Sequence, residues 1–388
     1  MKNKKNKLNI LVWGTFDKTK PRNRILQNGL SQVGCILQYC HANIWMGEND
    51  KSQLKKVSQW GNILFSYMKE YPKLIAKFCK IDKTDFILVG YLGHIDVLIL
   101  WPFAKIKGVP IVWDAFISLY NTVVEDRKLV SKYNPLSWLL YIFEWTACRA
   151  ADVVVLDTRA HANYFRSRYK LDQNKVAHTY VGAEELFFDQ QIIRKRKLKQ
   201  QHKQFNVLFY GTFIPLHGIT TILSAAKLID NKLVNWTLIG TGQEAEKYKL
   251  EIEQCSNVSW NKWVEYESLI EKINEADVCL GIFGSTIKSD MVIPNKVFQI
   301  LAANKPLITR SSPAIKELLS GEEPGVWLIP PNNADELIRA VITAMNEREK
   351  LSSLNLHHEV NEQFTHKAIG EKLISSLKKA KICDIEMQ

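Results

Sequence analysis

Two short apolar runs, each closed by a glycine and followed by helical periodicity, constrain this sequence more than any other feature. The first is Leu8-Asn9-Ile10-Leu11-Val12-Trp13, ending in Gly14; the second is Phe205-Asn206-Val207-Leu208-Phe209-Tyr210, ending in Gly211. Such runs read as strands, and a glycine turn at the carboxyl end that opens into a helix is the start of a Rossmann-type unit. After Gly14, Pro21 leads into a helix with Ile25, Leu26, Gly29 and Leu30 at helical spacing, and a strand follows near Cys35–Tyr39. After Gly211, a helix over Ile219–Leu228 precedes the strand Trp236–Ile239 and a second turn, Gly240-Thr241-Gly242. At 388 residues and 46% hydrophobic, the chain can bury two cores of ordinary size.

The first half continues with strands over Asp85–Gly90, Val109–Asp114 and Ala151–Thr158, a helix over Asp96–Phe103, and a long buried helix over Leu136–Ala150. In open parallel sheets ligands bind beyond the carboxyl ends of strands. Asp114 ends such a strand, so it is either an acceptor-site acid or the cap of a turn. Arg22 and Arg24 follow the first glycine turn and either clamp an anion or stay solvated. Thr158 is placed to cap the next helix. The helical region Lys51–Lys83 carries Lys69, Lys73, Lys77 and Lys80 at helical spacing, either a basic face for anionic lipid or the solvated side of a domain helix.

Seven cysteines without CxxC pairs argue against a disulfide framework and for a reducing compartment. The basic start Met1–Lys7 runs into too short an apolar segment for a secretion signal, and Leu136–Phe143 falls short of the ~20 residues needed to cross a bilayer. The net charge of +12 predicts an anionic partner. The basic run Arg194–Lys203 lacks interleaved aromatics, so it reads as a linker between the halves and not as a nucleic-acid patch.

The stretch Ile293-Pro294-Asn295-Lys296-Val297-Phe298-Gln299-Ile300-Leu301 reads as a loop entering a short helix, with proline in its first turn. Val297, Ile300 and Leu301 make the core face, which leaves Lys296 and Gln299 together on another. A cation in the first turn of a helix suits a bound phosphate better than it suits the helix dipole.

With Ala276-Asp277-Val278-Cys279-Leu280-Gly281 before it and Lys305-Pro306-Leu307-Ile308-Thr309 after it, this stretch resembles the nucleotide-sugar site of the retaining GT-B glycosyltransferases of family 4. The resemblance covers nearly the whole second half and, more loosely, the strand order of the first. It implies an α/β chain of GT-B architecture, with two Rossmann-like domains facing across a cleft. Residues 1–190 would bind the acceptor and 191–366 the nucleotide-sugar, and 367–388 would form a helix packing back on the first domain. The family's ribose-gripping glutamate falls at Gln299, which lowers each hydroxyl bond from roughly 1.5–3 to about 0.5–1.5 kcal/mol. A second family glutamate falls at Met291, with Asp290 as a neighbouring substitute. The family's diphosphate arginine and lysine fall at Thr212 and His217, so neutralisation passes to Lys296, with Lys288, Arg22 and Arg24 as helpers and His217 contributing if protonated. The expected donor site comprises Gly14, Gly211, Thr212, His217, Gly240, Gly242, Trp263, Asp290, Asn295, Lys296 and Gln299; Trp263 either covers the base or packs on its own domain. Lys296 and Asp114 are the expected catalytic residues.

The resemblance implies transfer of a sugar from a nucleotide-diphosphate sugar to a polysaccharide or lipid-linked acceptor, with retention of configuration. No metal or other cofactor is expected, and no nucleic acid. The expected location is cytoplasmic, with peripheral attachment to the anionic inner face of the membrane. The competing readings are a nucleotide-sugar-binding subunit without catalysis and a nucleotide-sugar epimerase of the same fold.

Overall fold

The computed structural model describes residues 7–44, 57–188, 204–229 and 232–383. The basic run Arg194–Lys203, the domain boundary at 190 and the start of the chain up to Asn6 lie outside them, as do Lys51–Lys56 of the second helical region. Two parallel sheets carry the chain. The first contains β1 (Asn9–Gly14), β2 (Ile36–His41), β3 (Phe86–Val89), β4 (Ile111–Asp114), β5 (Val153–Leu156) and β6 (Val176–His178), in the order β2-β1-β3-β4-β5-β6. The second contains β7 (Phe205–Tyr210), β8 (Val234–Ile239), β9 (Val258–Asn261), β10 (Val278–Leu280), β11 (Leu307–Arg310) and β12 (Val326–Ile329), in the order β12-β11-β10-β7-β8-β9. Every pairing within each sheet is parallel, and the inner strands, covered on both faces, read as near-continuous apolar runs, while the edge strands β2 and β9 are partly exposed.

The helices around the first sheet are α1 (Pro21–Gln32), α2 (Val57–Cys79), α3 (His94–Lys107), α4 (Pro135–Ala150) and α5 (Arg159–Tyr169). Those of the second half are α6 (Ile219–Leu228), α7 (Ala245–Glu253), α8 (Tyr266–Glu275), α9 (Ile287–Met291), α10 (Asn295–Ala302), α11 (Ala334–Asn346), α12 (Arg348–Ser353), α13 (His358–Asn361) and α14 (His366–Lys379). Thr158 caps α5 by accepting from the His161 amide at 3.0 Å. His161 is buried against Asp157, with Nδ1 2.7 Å from the carboxylate, and does not lie on the surface.

Helix α14 crosses back to pack on α1. The backbones touch where both helices carry glycine: a Cβ on Gly370 would stand 2.3 Å from the Gly29 carbonyl oxygen. Ile369, Leu373, Ile374 and Leu377 join the core beneath β1 and β3. Helix α4 corrects one expectation. It forms where predicted, capped by Asn134, but only one side is buried; Trp138 is 71% exposed and Leu139 62%.

Candidate active site

Strand order reverses between β7 and β10, and the carboxyl ends that part there leave the crevice where doubly wound sheets bind ligands. Helix α10 delivers Lys296 into it. The Lys296 Nζ lies 3.4 Å from the Gly281 carbonyl oxygen, just past β10, and 3.8 Å from the centroid of the Phe209 ring in β7. Gly211, at a φ of +144°, makes this approach possible, because a Cβ there would sit 2.8 Å from Nζ. One long hydrogen bond and an aromatic face are poor compensation for a lysine only 6% exposed. Burial pushes its pKa well below the usual lysine value. An anion in the crevice would reverse that shift.

His217 shares this corner, with Nδ1 hydrogen-bonded to the Thr212 carbonyl. Burial first, and then the Lys296 charge, hold its pKa well below the ordinary value. It is therefore a neutral imidazole at pH 7, so the condition under which it would help neutralise a diphosphate, protonation, is not met in the empty site. Gly240 and Gly242 are required for another reason than close approach to a ligand. A Cβ on Gly240 would stand 1.9 Å from the Gly211 carbonyl oxygen and one on Gly242 2.7 Å from that of Phe213, so these glycines let one loop rest on the other. Gly14 is similarly fixed from below by Asp96, whose carboxylate accepts from the Thr15 amide and hydroxyl.

Gln299 lies one turn along α10, 5% exposed. Its carbonyl oxygen is 3.3 Å from the Tyr210 hydroxyl and its amide nitrogen 3.4 Å from Glu184, in the segment that leaves the first domain. Arg24 of α1 pairs with the same Glu184 at 2.8 Å. Burial and then Glu184 raise the pKa of the neighbouring Tyr266 phenol. The carboxylate missing from position 299 is thus present beside it, from a different segment. Sequence reading missed Glu184 because its spacing to Gln299 carries no motif; only the fold brings them together. Asn295 opens the helix with its buried side-chain carbonyl oxygen lacking any hydrogen-bond partner.

Several expected residues are committed elsewhere. The Arg22 guanidinium, 2% exposed, binds both oxygens of Asp114 and the carbonyls of Thr179 and Tyr180. These bonds use four of its five N–H groups and hold the guanidinium inside the first domain, where the expected diphosphate helper is instead the partner of Asp114. Asp114 is fully buried in the same pair and does not face the cleft as a catalytic acid. Asp290 is bound to Arg310 at 2.5 Å. Lys288 donates to the Thr122 hydroxyl at 2.8 Å and Thr286 to Asp126 at 2.8 Å, so α9 docks one domain on the other. The Met291 carbonyl, which accepts from Thr158, extends that contact. Trp263 is 69% exposed; its neighbour Trp260 is the one that touches the glycine loops, stacked on Phe213 and donating to the Gly240 carbonyl at 2.8 Å.

Two Rossmann-like domains, each an open parallel sheet, joined face to face and tied by a returning C-terminal helix, define the GT-B fold. Residues 204–347 match the family model described as glycosyl transferases group 1. The solved sucrose-phosphate synthase from Thermosynechococcus elongatus superposes with a TM-score of 0.71 at 14% identity, over 96% of this chain and 99% of that one. The Anabaena protein HepE, solved in complex with UDP, superposes with a TM-score of 0.62 at 14% identity, over 96% and 100%. Among curated proteins, chitobiosyldiphosphodolichol beta-mannosyltransferase of Kluyveromyces lactis is 21% identical over 299 residues, 69% of this chain. The chain spans 65% of that relative's length in the match.

Proposed function

We propose that this protein is a retaining glycosyltransferase that moves a sugar from a nucleotide-diphosphate sugar to a glycan or lipid-linked acceptor. The observation that carries the reading is the Lys296 ammonium, buried at the strand-order reversal with one long hydrogen bond. A pyrophosphate in that crevice would meet Lys296 and the loop following Gly211, while the ribose, whose hydroxyls can donate to the unpartnered Asn295 carbonyl oxygen, would reach Gln299 and Glu184. The UDP complex of HepE and the group 1 match over the second domain support a nucleotide-sugar donor.

In the reaction, the bond from the sugar's anomeric carbon to the diphosphate oxygen breaks as the acceptor oxygen attacks from the same face. The acceptor proton passes to the departing phosphate. Lys296 stabilises charge that develops on the diphosphate, and a fixed cation in a water-poor site does so with little reorganisation. An epimerase would need free carboxylates in the cleft, and Asp114 and Asp290 are both tied to arginines. Seven scattered cysteines with no CxxC pair among them support a reducing, cytoplasmic location.

The test is a panel of nucleotide-sugars with and without membrane-lipid and oligosaccharide acceptors. Release of nucleoside diphosphate that depends on acceptor, with proton NMR showing the donor's anomeric configuration in the product, supports the proposal. Binding without turnover on every acceptor, or an inverted product, overturns it.

A further inference from the structure

Helices α2, α3 and α4 lie side by side over one face of the first sheet. Leu74, Phe78, Leu100, Ala104 and Ala147 point inward to a common core. Their outer sides are unusually apolar. On α4, Trp138, Leu139, Ile142 and Trp145 follow helical spacing at 71%, 62%, 44% and 37% exposure. On α3, Ile106 is 85% exposed and Trp101 44%; on α2, Phe65 and Met68 are each 69% exposed. Isolated exposed apolar residues are ordinary, but a run across three adjacent helices marks a surface that something covers.

Charge decides what covers it. No exposed residue of α3 or α4 is acidic, since Asp96 is 2% exposed and Glu144 is fully buried. Cations surround the patch: Lys69 and Lys77 on α2, Lys80 just past its end, Lys107 on α3, Arg149 at the end of α4 and Lys132 just before it, against one partly exposed acid, Glu70 of α2, which is paired with Lys73. Arg149 stands over the Trp145 ring at 5.1 Å, and Lys132 over that of the 83%-exposed Tyr133 at 4.9 Å. A second copy of the chain would bring these cations against each other, on a protein already at +12. Among the described residues no helix is long and apolar enough to cross a membrane. Tryptophan and aliphatic side chains rimmed by lysine and arginine match the boundary layer of an anionic bilayer.

We propose that the outer face of α2, α3 and α4 lies on an anionic phospholipid surface. Trp138, Leu139, Ile142 and Trp145 enter the headgroup boundary, and the cations around them meet lipid phosphates. The loop entering α4 also touches the second domain, where Gln243 donates to the Arg127 carbonyl at 3.1 Å, so the patch runs up to the rim between the domains. The bilayer contact does not depend on the transferase reading and is measured without turnover.

The full chain is sedimented with vesicles of phosphatidylcholine, alone or mixed with phosphatidylglycerol, while tryptophan emission is followed. Binding at least about tenfold tighter to the anionic vesicles, with a blue shift, is expected, weakening with salt by about fivefold for each surface cation screened. The double variant Trp138→Glu with Leu139→Glu should lose at least about tenfold in vesicle affinity while keeping its Tm and nucleotide binding. Equal or absent binding to both vesicle types, or full binding by a folded double variant, overturns the proposal. So does a vesicle-free dimer that the double variant dissolves, since a second copy would then cover the face.

Discussion

Replacing Lys296 by methionine should stabilise the empty protein and weaken nucleotide binding, two effects of opposite sign from one residue. Methionine keeps the stem that crosses the Phe209 ring and deletes an ammonium that has one 3.4 Å hydrogen bond. Removing a poorly satisfied buried polar group recovers about 1–3 kcal/mol of desolvation. At about 2–4 °C per kcal/mol for a domain of this size, Tm should rise by about 2–12 °C. Burial depresses the folded pKa, so the unfolded chain holds more protons between the folded and unfolded values. Wild-type stability therefore rises with pH across that window, and the variant loses this slope. A charge-assisted bond to a diphosphate contributes about 1.5–3 kcal/mol, so affinity for a nucleoside diphosphate should fall roughly 10- to 150-fold. Scanning calorimetry reads the first effect and titration calorimetry with UDP and GDP the second. The diphosphate raises the lysine pKa, so binding to the wild type should take up protons at pH values between the pKa of the empty and that of the occupied site; titrations across pH in buffers of different ionisation enthalpy measure that uptake. A variant that melts lower and binds the nucleotide unchanged would make Lys296 a structural residue and refute the reasoning.

Gln299→Glu should lower Tm, because it sets a second carboxylate beside Glu184, at a cost of up to about 4 kcal/mol unless one is protonated. Adding Glu184→Gln should restore the Tm, and the exchanged pair should bind nucleotide at least as tightly as wild type in the same titration. Arg22→Ala should cost about 3–5 kcal/mol in denaturant unfolding, since it strands buried Asp114; undiminished stability would contradict the pairing. His357, buried with Nε2 2.9 Å from the Lys305 carbonyl, is held down to about 4 chiefly by burial. The unfolded chain therefore gains the proton first as pH falls, and stability drops between about 6.5 and 4 at about 1.4 kcal/mol per pH unit. His357→Asn, which suits the residue's φ of +63°, should flatten that limb in unfolding curves taken across the window.

What could be read from sequence was whatever local chemistry dictates. The glycine-ended strands, the proline-started α10 and the capping Thr158 each carry their signal within a few residues, and the core face of α10 separates Lys296 and Gln299 from the rest. Long-range pairing carries no such signal. Arg22 and Asp114 are 92 positions apart, and nothing near either residue announces a buried ion pair. Glu184 and Gln299 are 115 apart, and only the return of the chain between the domains joins them. Gly240 looked like a phosphate-binding glycine because the need to pack on another loop leaves the same mark in sequence. Helix α4 looked buried because an apolar run does not record which of its faces the core uses.

A crystal structure of the full chain with a nucleoside diphosphate would show whether Lys296 and the Gln299–Glu184 pair hold the nucleotide. Pyrophosphate oxygens should lie within about 3 Å of the Lys296 Nζ, and ribose hydroxyls in hydrogen-bond contact with Gln299 or Glu184. A nucleotide lodged away from the crevice between β7 and β10, with Lys296 still resting on Phe209, would contradict that assignment.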